Sequence, residues 1–253
     1  MAPRVFRSGE LAETLFPKFV EELAQRLDDP AVDPNDTVRD TLRELYGAAR
    51  PADGDSLARR VADASFDPRN ATLEAEYYKE LDPGKWAKVK PLLWFWQMFD
   101  HSPVGRNVLL GARVREMLAR RVFRRCGRNV RIFHDVELSF GYNLTVGDDV
   151  TIHRNVLIDD RGEVIIGSNV SISDYANIYS HAHAVEDIND VSLGRTVIGD
   201  NTRVTYHSTV FSDVKSGHDA MLGSHGVANK DIPDYEIFGG VPARRIGQKK
   251  GHP

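Results

Sequence analysis

The sequence predicts a parallel β-helix in the second half of the chain, preceded by an α-helical region. From residue 126 onward an apolar residue recurs every six positions, and a small or β-branched residue follows many of these after four positions. A period of two indicates a half-buried strand and a period near 3.6 a helix, whereas a period of six is typical of a β-helix. The series runs Cys126, Ile132, Leu138, Val146, Ile152, Ile158, Ile166, Ile172, Ile178, Ile198, Val204, Val210, Ser216, Leu222 and Ala228.

The hexads group into coils, because three of them close one turn of the triangular prism in about eighteen residues. The first two coils carry two extra residues each, which places the coil starts at Cys126, Val146 and Ile166. The third coil is interrupted by an insertion, roughly Ser180 to Val197, that contains the run Ser-His-Ala-His-Ala-Val-Glu-Asp. Segments that leave a repeat architecture are the usual place for function, since the coils themselves are committed to stacking.

Residues 1–125 show helical rather than hexad spacing, so we predict two domains, 1–125 and 126–253, the second with a C-terminal tail. Leu11, Leu15, Phe19, Leu23 and Leu27 recur at the spacing of one helix face. Further helices are predicted from Val38 to a stop at Gly47, over 57–64, over 70–81 and over 114–125.

Aromatic and basic residues concentrate at the end of the helical region. We interpret Trp94, Phe95, Trp96 and Phe99 as core packing, with an interfacial or hydrophobic-substrate role as the alternative. The arginines are interpreted as a solvated face, with an anionic partner such as a cofactor phosphate, a membrane surface or the acidic helices as the alternative. They are Arg113, Arg115, Arg120, Arg121, Arg124, Arg125, Arg128 and Arg131.

Composition restricts the function classes. The chain has 253 residues, a formal net charge of −4 and one cysteine, which excludes an internal disulfide framework and disfavours nucleic-acid binding. Its longest apolar run, Pro91 to Phe99, is about nine residues, well below the ~20 that a membrane span needs. The N-terminal residues lack the pattern of a signal peptide, so we expect a cytoplasmic protein.

The hexads, the His-bearing insertion and the segment from Asn229 to Ile246 together resemble the left-handed β-helix (hexapeptide-repeat) acyltransferases. The most similar branch is that of the maltose, galactoside and nodulation O-acetyltransferases. This resemblance implies a left-handed coil, a homotrimer with active sites between neighbouring prisms, and acetyl-CoA as the acyl donor. The acceptor it implies is a hydroxyl or amine of a sugar-like molecule, acetylated by direct transfer.

The resemblance also indicates the general base. The stretch Ile178-Tyr-Ser-His-Ala-His aligns with the family pattern so that His183 takes the catalytic position and His181 is an additional histidine. A sugar hydroxyl is a weak nucleophile, and a neutral imidazole can accept its proton during attack on a thioester.

Acidic and amide side chains are expected around that base. Asp159 and Asp160 end the second coil, where the resemblance implies a carboxylate that binds the acceptor. The family has an Asn on the previous strand that helps to orient it, and by register Asn155 is the nearest candidate, with His153 as a weaker one. The alternative for these residues is a corner that caps its own backbone, which Asp and Asn do readily. Glu186 and Asp187, within the insertion, are candidates for orienting the imidazole and for substrate binding.

The donor site is expected further along the prism. Where the family has a Gly-Gly pair that lets the backbone approach the pantetheine, this chain has Thr205 and Tyr206. Better matched are small residues of the next coil and basic residues whose charges suit CoA phosphates. These candidates are Gly223, Ser224, Lys230, Arg244 and Arg245.

Two other function classes stay open. Some left-handed β-helix proteins are zinc hydratases of the carbonic anhydrase type, and His183, His218 and His225 are the histidines available for such a site. The spacing of the last two differs from the family pattern, so no metal is expected. A non-catalytic trimeric scaffold is the second alternative, and the substitution of Gly-Gly by Thr205-Tyr206 would suit it.

Overall fold

The computed structural model describes residues 9–49, 52 and 54–249, so the first eight residues and the last four of the predicted tail lie outside the described part. The chain forms two compact units: one comprises residues 1–73 and 87–121, the other residues 74–86 and 122–253. The segment 74–86 therefore belongs with the β-rich unit. The domains 1–125 and 126–253 stay a prediction.

Among the described residues, the N-terminal part contains five α-helices: α1 Glu10–Asp28, α2 Pro34–Leu45, α3 Leu57–Ala64, α4 Pro83–His101 and α5 Val108–Val122. The α2 helix begins where Asp33 accepts a hydrogen bond from the Asn35 amide at 2.8 Å, and it is followed by Gly47 at a φ of +63°. An acidic N-cap and a left-handed C-terminal glycine are the ordinary helix boundaries. The first three predicted helices are confirmed.

The predicted helix over 70–81 is wrong. Two short 3₁₀ turns, Pro68–Asn70 and Glu74–Tyr77, stand in its place. The side chains that follow the second turn contact the β-rich unit, and these tertiary contacts replace a helical face. The predicted helix over 114–125 is also shifted, because α5 begins at Val108 and ends at Val122.

Three of the four aromatic residues pack in the core, as predicted: Phe95, Trp96 and Phe99 are buried in the second half of α4. Trp94 is only half-buried, and its indole Nε1 donates to the Ser65 carbonyl at 3.1 Å. Arg115 corrects the interpretation of the arginines as a solvated face, because it is 2% exposed and its Nε donates to Oδ1 of Asp100 at 2.7 Å. A charge this deeply buried requires such a partner.

The second unit is a parallel β-solenoid with three faces. Five complete coils each contribute one strand to each face, and one further strand begins a sixth coil. The strands are β1 Arg125–Cys126, β2 Arg131–Ile132, β3 Glu137–Leu138, β4 Leu144–Val146, β5 Thr151–Ile152, β6 Leu157–Asp159, β7 Glu163–Ile166, β8 Ser171–Ile172, β9 Asn177–Tyr179, β10 His181–His183, β11 Val191–Leu193, β12 Arg195–Ile198, β13 Arg203–Val204, β14 Thr209–Val210, β15 Lys215–Ser216, β16 Met221–Leu222, β17 Val227–Ala228, β18 Glu236–Gly239 and β19 Arg244–Gln248.

The register of the coils follows the hexads. Ile152 pairs with Ile172 on one face, and Ile158 pairs with Ile178 on the next. Of the fifteen residues in the predicted series, all are buried except Cys126 and Leu138, which lie in the first coil at the end of the prism and are half-buried. The aliphatic residues therefore fill the prism, as predicted.

The corners between faces place residues in the left-handed backbone region. One corner column, between the second and third faces, contains Asp135, Asn155, Tyr175, His207 and His225, each with φ between 56° and 61°. Asn and Asp tolerate this conformation, and their side chains cap the turn locally. Asn155 is thus suited to the corner, although Tyr and His occupy the equivalent positions of other coils.

The insertion in the third coil forms an antiparallel hairpin of β10 and β11. His181 pairs with Leu193 and His183 with Val191, so residues 184–190 form the connecting loop. The sequence placed the insertion at Ser180 to Val197, and the hairpin confirms that it leaves the solenoid. None of the helices in residues 9–49, 52 and 54–249 is long and apolar enough to cross a membrane.

Candidate active site

The exposed imidazole of His183 is fixed by a main-chain carbonyl of its own hairpin. Its Nδ1 lies 2.6 Å from the carbonyl oxygen of Ile188. A carbonyl only accepts hydrogen bonds, so Nδ1 carries the proton in the neutral ring and Nε2 keeps its lone pair. The geometry therefore presents Nε2 as a proton acceptor, which is what a general base requires.

His181 lies two residues earlier on β10 and contacts a carboxylate. Its Nδ1 is 2.6 Å from Oδ2 of Asp159, and both side chains are largely buried, with exposures of 14% and 7%. Burial lowers the pKa of His181, and the attraction of Asp159 opposes that shift only in part. A carboxylate only accepts hydrogen bonds, so Nδ1 is the protonated nitrogen in the neutral form of this ring.

Backbone contacts hold this pair in place. The other oxygen of Asp159 accepts a hydrogen bond from the Arg161 amide at 3.1 Å. Ser180 is fully buried just before β10. Its hydroxyl donates a hydrogen bond to the Asp159 carbonyl at 2.6 Å and accepts one from the Gly162 amide at 2.9 Å. The second coil and the base of the hairpin are thus joined at Asp159.

Asp160, predicted with Asp159, has a different environment. Its carboxylate is fully buried and accepts the amides of Phe140, Gly141 and Asn143 at 2.8, 2.9 and 3.0 Å. Burial raises its pKa to about 6, although these three amides act in the opposite direction. Its oxygens are used to shape the turn at 140–143, which is the corner-capping role.

The carboxylates of the loop do not orient the imidazole of His183, because the Ile188 carbonyl contacts its Nδ1. Asp187 instead accepts the amide and side chain of Asn189 at 2.9 and 3.1 Å, and these hydrogen bonds lower its pKa. Glu186 is exposed in the same loop. The expectation that either carboxylate orients the ring is therefore corrected. Their role in substrate binding stays a prediction.

The segment 74–86 supplies residues that the sequence did not indicate. Nε of Arg161 donates to Oε1 of Glu80 at 2.9 Å, and the guanidinium lies 4.0 Å from the centre of the Tyr78 ring. Burial, then a hydrogen bond to Glu74, raises the pKa of Tyr78 to about 12. Arg161 directly follows the predicted aspartates, so the sequence could have indicated that it lies near this site. The sequence could not indicate Glu80, because 81 residues separate it from Arg161.

The predicted donor-site residues of the fourth and fifth coils lie together. Thr205 is buried, and its hydroxyl donates to the Leu222 carbonyl at 2.7 Å while the Ser224 hydroxyl approaches it at 3.3 Å. Tyr206 is about half exposed at the corner. A Cβ on Gly223 would lie 3.2 Å from the Phe238 carbonyl. Thr205 is therefore structural, whereas Tyr206 and Ser224 face outward.

The basic candidates differ in how far their charges are neutralised. Lys230 is exposed after β17, and the guanidinium of Arg244 donates to the Ala243 carbonyl at 2.9 Å. Arg245 forms an ion pair with Glu236 at 2.8 Å across the β18–β19 hairpin. Lys230 and Arg244 are thus better suited to bind an anion than Arg245.

The histidines considered for zinc are separated by their contacts. Nε2 of His218 lies 2.9 Å from Oδ2 of Asp234, and the ring of His225 stacks on His207 at 5.0 Å. Within the part of the chain that the structure describes, no three His, Cys, Asp or Glu side chains form a group able to hold a metal ion.

Comparison with known proteins gives the following relatives, while no family model matches. The chain is 28% identical over 136 residues to galactoside O-acetyltransferase of Escherichia coli (strain K12), covering 52% of this chain and 67% of the relative. A probable acetyltransferase of Mycobacterium tuberculosis is 28% identical over 43% of this chain and 38% of its own length. A putative acetyltransferase of Saccharomyces cerevisiae is 26% identical over 48% of this chain and 64% of its own length. The chain thus spans less than two thirds of the latter two relatives.

Solved structures give the same result for the fold. A maltose O-acetyltransferase from Clostridium difficile 630 superposes with a TM-score of 0.59 at 21% identity, over 72% of this chain and 100% of that chain. A galactoside acetyltransferase in complex with coenzyme A gives a TM-score of 0.58 at 26% identity, over 66% of this chain and 81% of that chain. The left-handed β-helix and the resemblance to the hexapeptide-repeat acetyltransferases are confirmed.

Proposed function

We propose that this protein, whose sequence and fold resemble those of the hexapeptide-repeat acetyltransferases, transfers an acetyl group from acetyl-CoA to a hydroxyl of a sugar-like acceptor. The relatives named as acetyltransferases and the coenzyme A complex of a similar structure support the reaction class. The observation that supports the mechanism is the contact between His183 Nδ1 and the Ile188 carbonyl, because it leaves Nε2 as the basic atom.

In this mechanism His183 accepts the proton of the acceptor hydroxyl as its oxygen attacks the thioester carbon. Acetyl-CoA supplies the activated acetyl group. His183 then returns the proton to the departing thiolate, so that no charge remains on the enzyme after one turnover. The half-buried thiol of Cys126 lies in the first coil, in the inward position of the repeat, which favours direct transfer over an acyl-cysteine intermediate.

The residues of the fourth to sixth coils fit a nucleotide-bearing donor. Tyr206 and Ser224 present an aromatic ring and a hydroxyl at the prism corner, and Gly223 has no side chain to block the backbone. Lys230 and Arg244 place exposed positive charge further along the chain, suited to phosphates. These groups would hold CoA while His183 acts at its thioester.

A homotrimer completes the proposal. The β10–β11 hairpin exposes Val185 at 98%, Ile188 at 74% and Leu193 at 49%. Exposed apolar side chains on one projecting hairpin suit burial against a second copy, and a closed ring of three satisfies all equivalent faces. The loop that orients His183 would then be supported by the neighbouring subunit.

The proposal is tested with the full-length protein, acetyl-CoA and a sugar acceptor such as methyl β-D-galactopyranoside. Thiol release measures transfer, and calorimetry measures CoA binding. His183→Ala should reduce turnover about 10²–10⁴-fold while CoA still binds, and His181→Ala should cost less. A protein that neither binds CoA nor releases thiol would support the scaffold alternative. If His181→Ala reduced turnover more than His183→Ala, the assignment of the general base would be wrong by two residues.

A further inference from the structure

The two histidines of β10 lie side by side. Residues two apart in a strand project to the same face, and the ring centres of His181 and His183 are 5.1 Å apart with planes nearly perpendicular. His183 is exposed, whereas His181 is only 14% exposed. The resemblance to known acetyltransferases accounts for His183 and leaves His181 without a role.

Both rings present the same kind of atom. Nδ1 of His183 donates to the Ile188 carbonyl, and Nδ1 of His181 faces the Asp159 carboxylate at 2.6 Å. Each neutral ring therefore keeps its lone pair on Nε2. The site contains two hydrogen-bond acceptors on one strand face, of which the reacting hydroxyl satisfies one.

The Asp159 residue that contacts His181 is held in place by its own hydrogen bonds. Oδ1 of Asp159 accepts a hydrogen bond from the Arg161 amide, and the Asp159 main-chain carbonyl accepts one from the Ser180 hydroxyl. Oδ2 of Asp159 therefore stays directed at His181. The edge of His181 also packs against the Tyr179 ring, with centroids 6.3 Å apart. Such fixed partners are the mark of a binding group that is oriented before its ligand arrives.

We propose that His181 is a specificity-determining residue that accepts a hydrogen bond from a second hydroxyl of the acceptor, so that the preferred acceptor is a 1,2-diol. This inference rests on the proposed function and names the chemistry of its acceptor. Each Nε2 reaches a hydroxyl oxygen at about 2.8 Å. Ring centres 5.1 Å apart are close enough for one small molecule to contact both imidazoles, and hydroxyl oxygens on adjacent carbons are the nearest pair that such a molecule offers.

An acceptor that lacks the second hydroxyl would exclude water from His181 without replacing its hydrogen bond. Leaving a partly buried acceptor atom unsatisfied costs free energy, which lowers the rate for that acceptor. The effect is a discrimination between acceptors. It does not require His181 to take part in proton transfer.

The experiment uses the full-length protein, acetyl-CoA and three small probes: trans-cyclohexane-1,2-diol, cyclohexanol and trans-2-methoxycyclohexanol. The methyl ether matches the diol in shape but donates no hydrogen bond from its second oxygen. We expect kcat/KM for the diol to exceed that for each of the other two by about five- to tenfold, the value of one hydrogen bond. Equal rates for the diol and cyclohexanol, including no transfer to either, would overturn the proposal.

Two variants separate a specificity role from a structural one. In His181→Phe the ratio of diol to cyclohexanol should fall to about 1. In Asp159→Asn the amide oxygen keeps the Arg161 amide, so the NH₂ group faces His181 and moves its proton to Nε2. That ring donates instead of accepting, and the methyl ether should then be used as well as the diol. An unchanged ratio in His181→Phe, or continued rejection of the ether in Asp159→Asn, would contradict the proposal.

A matched control is available on the same solenoid. His218 contacts Asp234 at 2.9 Å, as His181 contacts Asp159, but belongs to the fifth coil. His218→Phe should keep the wild-type ratio of kcat/KM for the diol to kcat/KM for cyclohexanol. Acetyl-CoA binding and His183-dependent thiol release are measured in parallel, so a failure of the proposed function is seen separately from a failure of diol selection.

Discussion

The imidazole of His183 and the carbonyl of Ile188 are 2.6 Å apart, so the loop that orients the base also carries the most exposed apolar side chains of the hairpin. Ile188 is 74% exposed and Val185 is 98% exposed. Any contact that covers these side chains would also restrain the carbonyl that fixes the tautomer of His183. In the proposed trimer, assembly and the orientation of His183 would therefore depend on this one loop.

Charge introduced on this loop should reduce assembly and turnover together. We expect Val185→Asp and Ile188→Asp to shift the light-scattering mass at micromolar concentration from a trimer toward a monomer, because a buried unpaired carboxylate is costly. Turnover should fall at least tenfold in parallel. Leu57→Asp, at a 74% exposed position of α3, is the control and should change neither. A hairpin variant that stays trimeric with full activity would separate the two properties.

Asp160 should give the stability of the protein a specific pH dependence. In the folded protein its pKa is raised to about 6 from the ordinary value of 3.8. The protonated carboxyl therefore contributes free energy of folding that is fully present below pH 3.8 and is lost as the pH rises through 6. Asp160→Asn removes this titration. We therefore expect the wild type to gain about 1–3 kcal/mol relative to the variant between pH 7.5 and pH 4.5, measured by urea unfolding.

A constant difference between the two proteins over that pH range would show that the three amide hydrogen bonds keep Asp160 ionised in the folded state. The same comparison with Asp148→Asn provides a control, because the Asp148 side chain is partly exposed and pairs with the 87% exposed Arg128.

The solenoid was predictable because its pattern is local. Each strand needs only an inward aliphatic residue and a small residue at the corner, and both are readable at six-residue spacing, as Ile152, Ile158 and Ile172 illustrate. The hairpin was also predictable as an interruption of that spacing. Its histidines could be named, but the Ile188 carbonyl could not, because main-chain acceptors leave no trace in side-chain identity.

Contacts between distant segments were not predictable. Arg115 lies in a basic run of the sequence, yet it is buried against Asp100. Glu80 lies in a segment with helical spacing, yet it forms an ion pair with Arg161 across 81 residues. In both cases a tertiary partner decides the conformation, and a single sequence without aligned relatives does not show which charges pair.

The pair of Glu80 and Arg161 should be sensitive to removal of one partner. Their side chains are 13% and 5% exposed, so Glu80→Ala leaves a buried guanidinium without its carboxylate. We expect a loss of about 3 kcal/mol in the free energy of unfolding, and a smaller loss in Glu80→Ala combined with Arg161→Met. Urea unfolding measures both. Additive losses in the double variant would show that the pair does not couple.

The basic residues of α5 should not bind membranes. Nε of Arg121 donates to Asp28 at 2.8 Å, and Arg120 pairs with Glu116 at 2.7 Å, so much of this charge is neutralised within the chain. We expect no flotation with vesicles containing phosphatidylserine at low salt. Flotation that disappears at high salt would instead show an anionic surface as a partner.

Binding of CoA should distinguish the two neighbouring arginines of β19. Arg245 is neutralised by Glu236 at 2.8 Å, whereas Arg244 donates only to its neighbouring carbonyl among its hydrogen bonds in the described residues. We expect Arg244→Ala to raise the Kd of CoA about two- to tenfold, and Arg245→Ala to have a smaller effect, in calorimetry at low salt. The difference should shrink at high salt, because exposed charges are screened. If Arg245→Ala were the more damaging substitution, the phosphates would contact the paired arginine and displace Glu236.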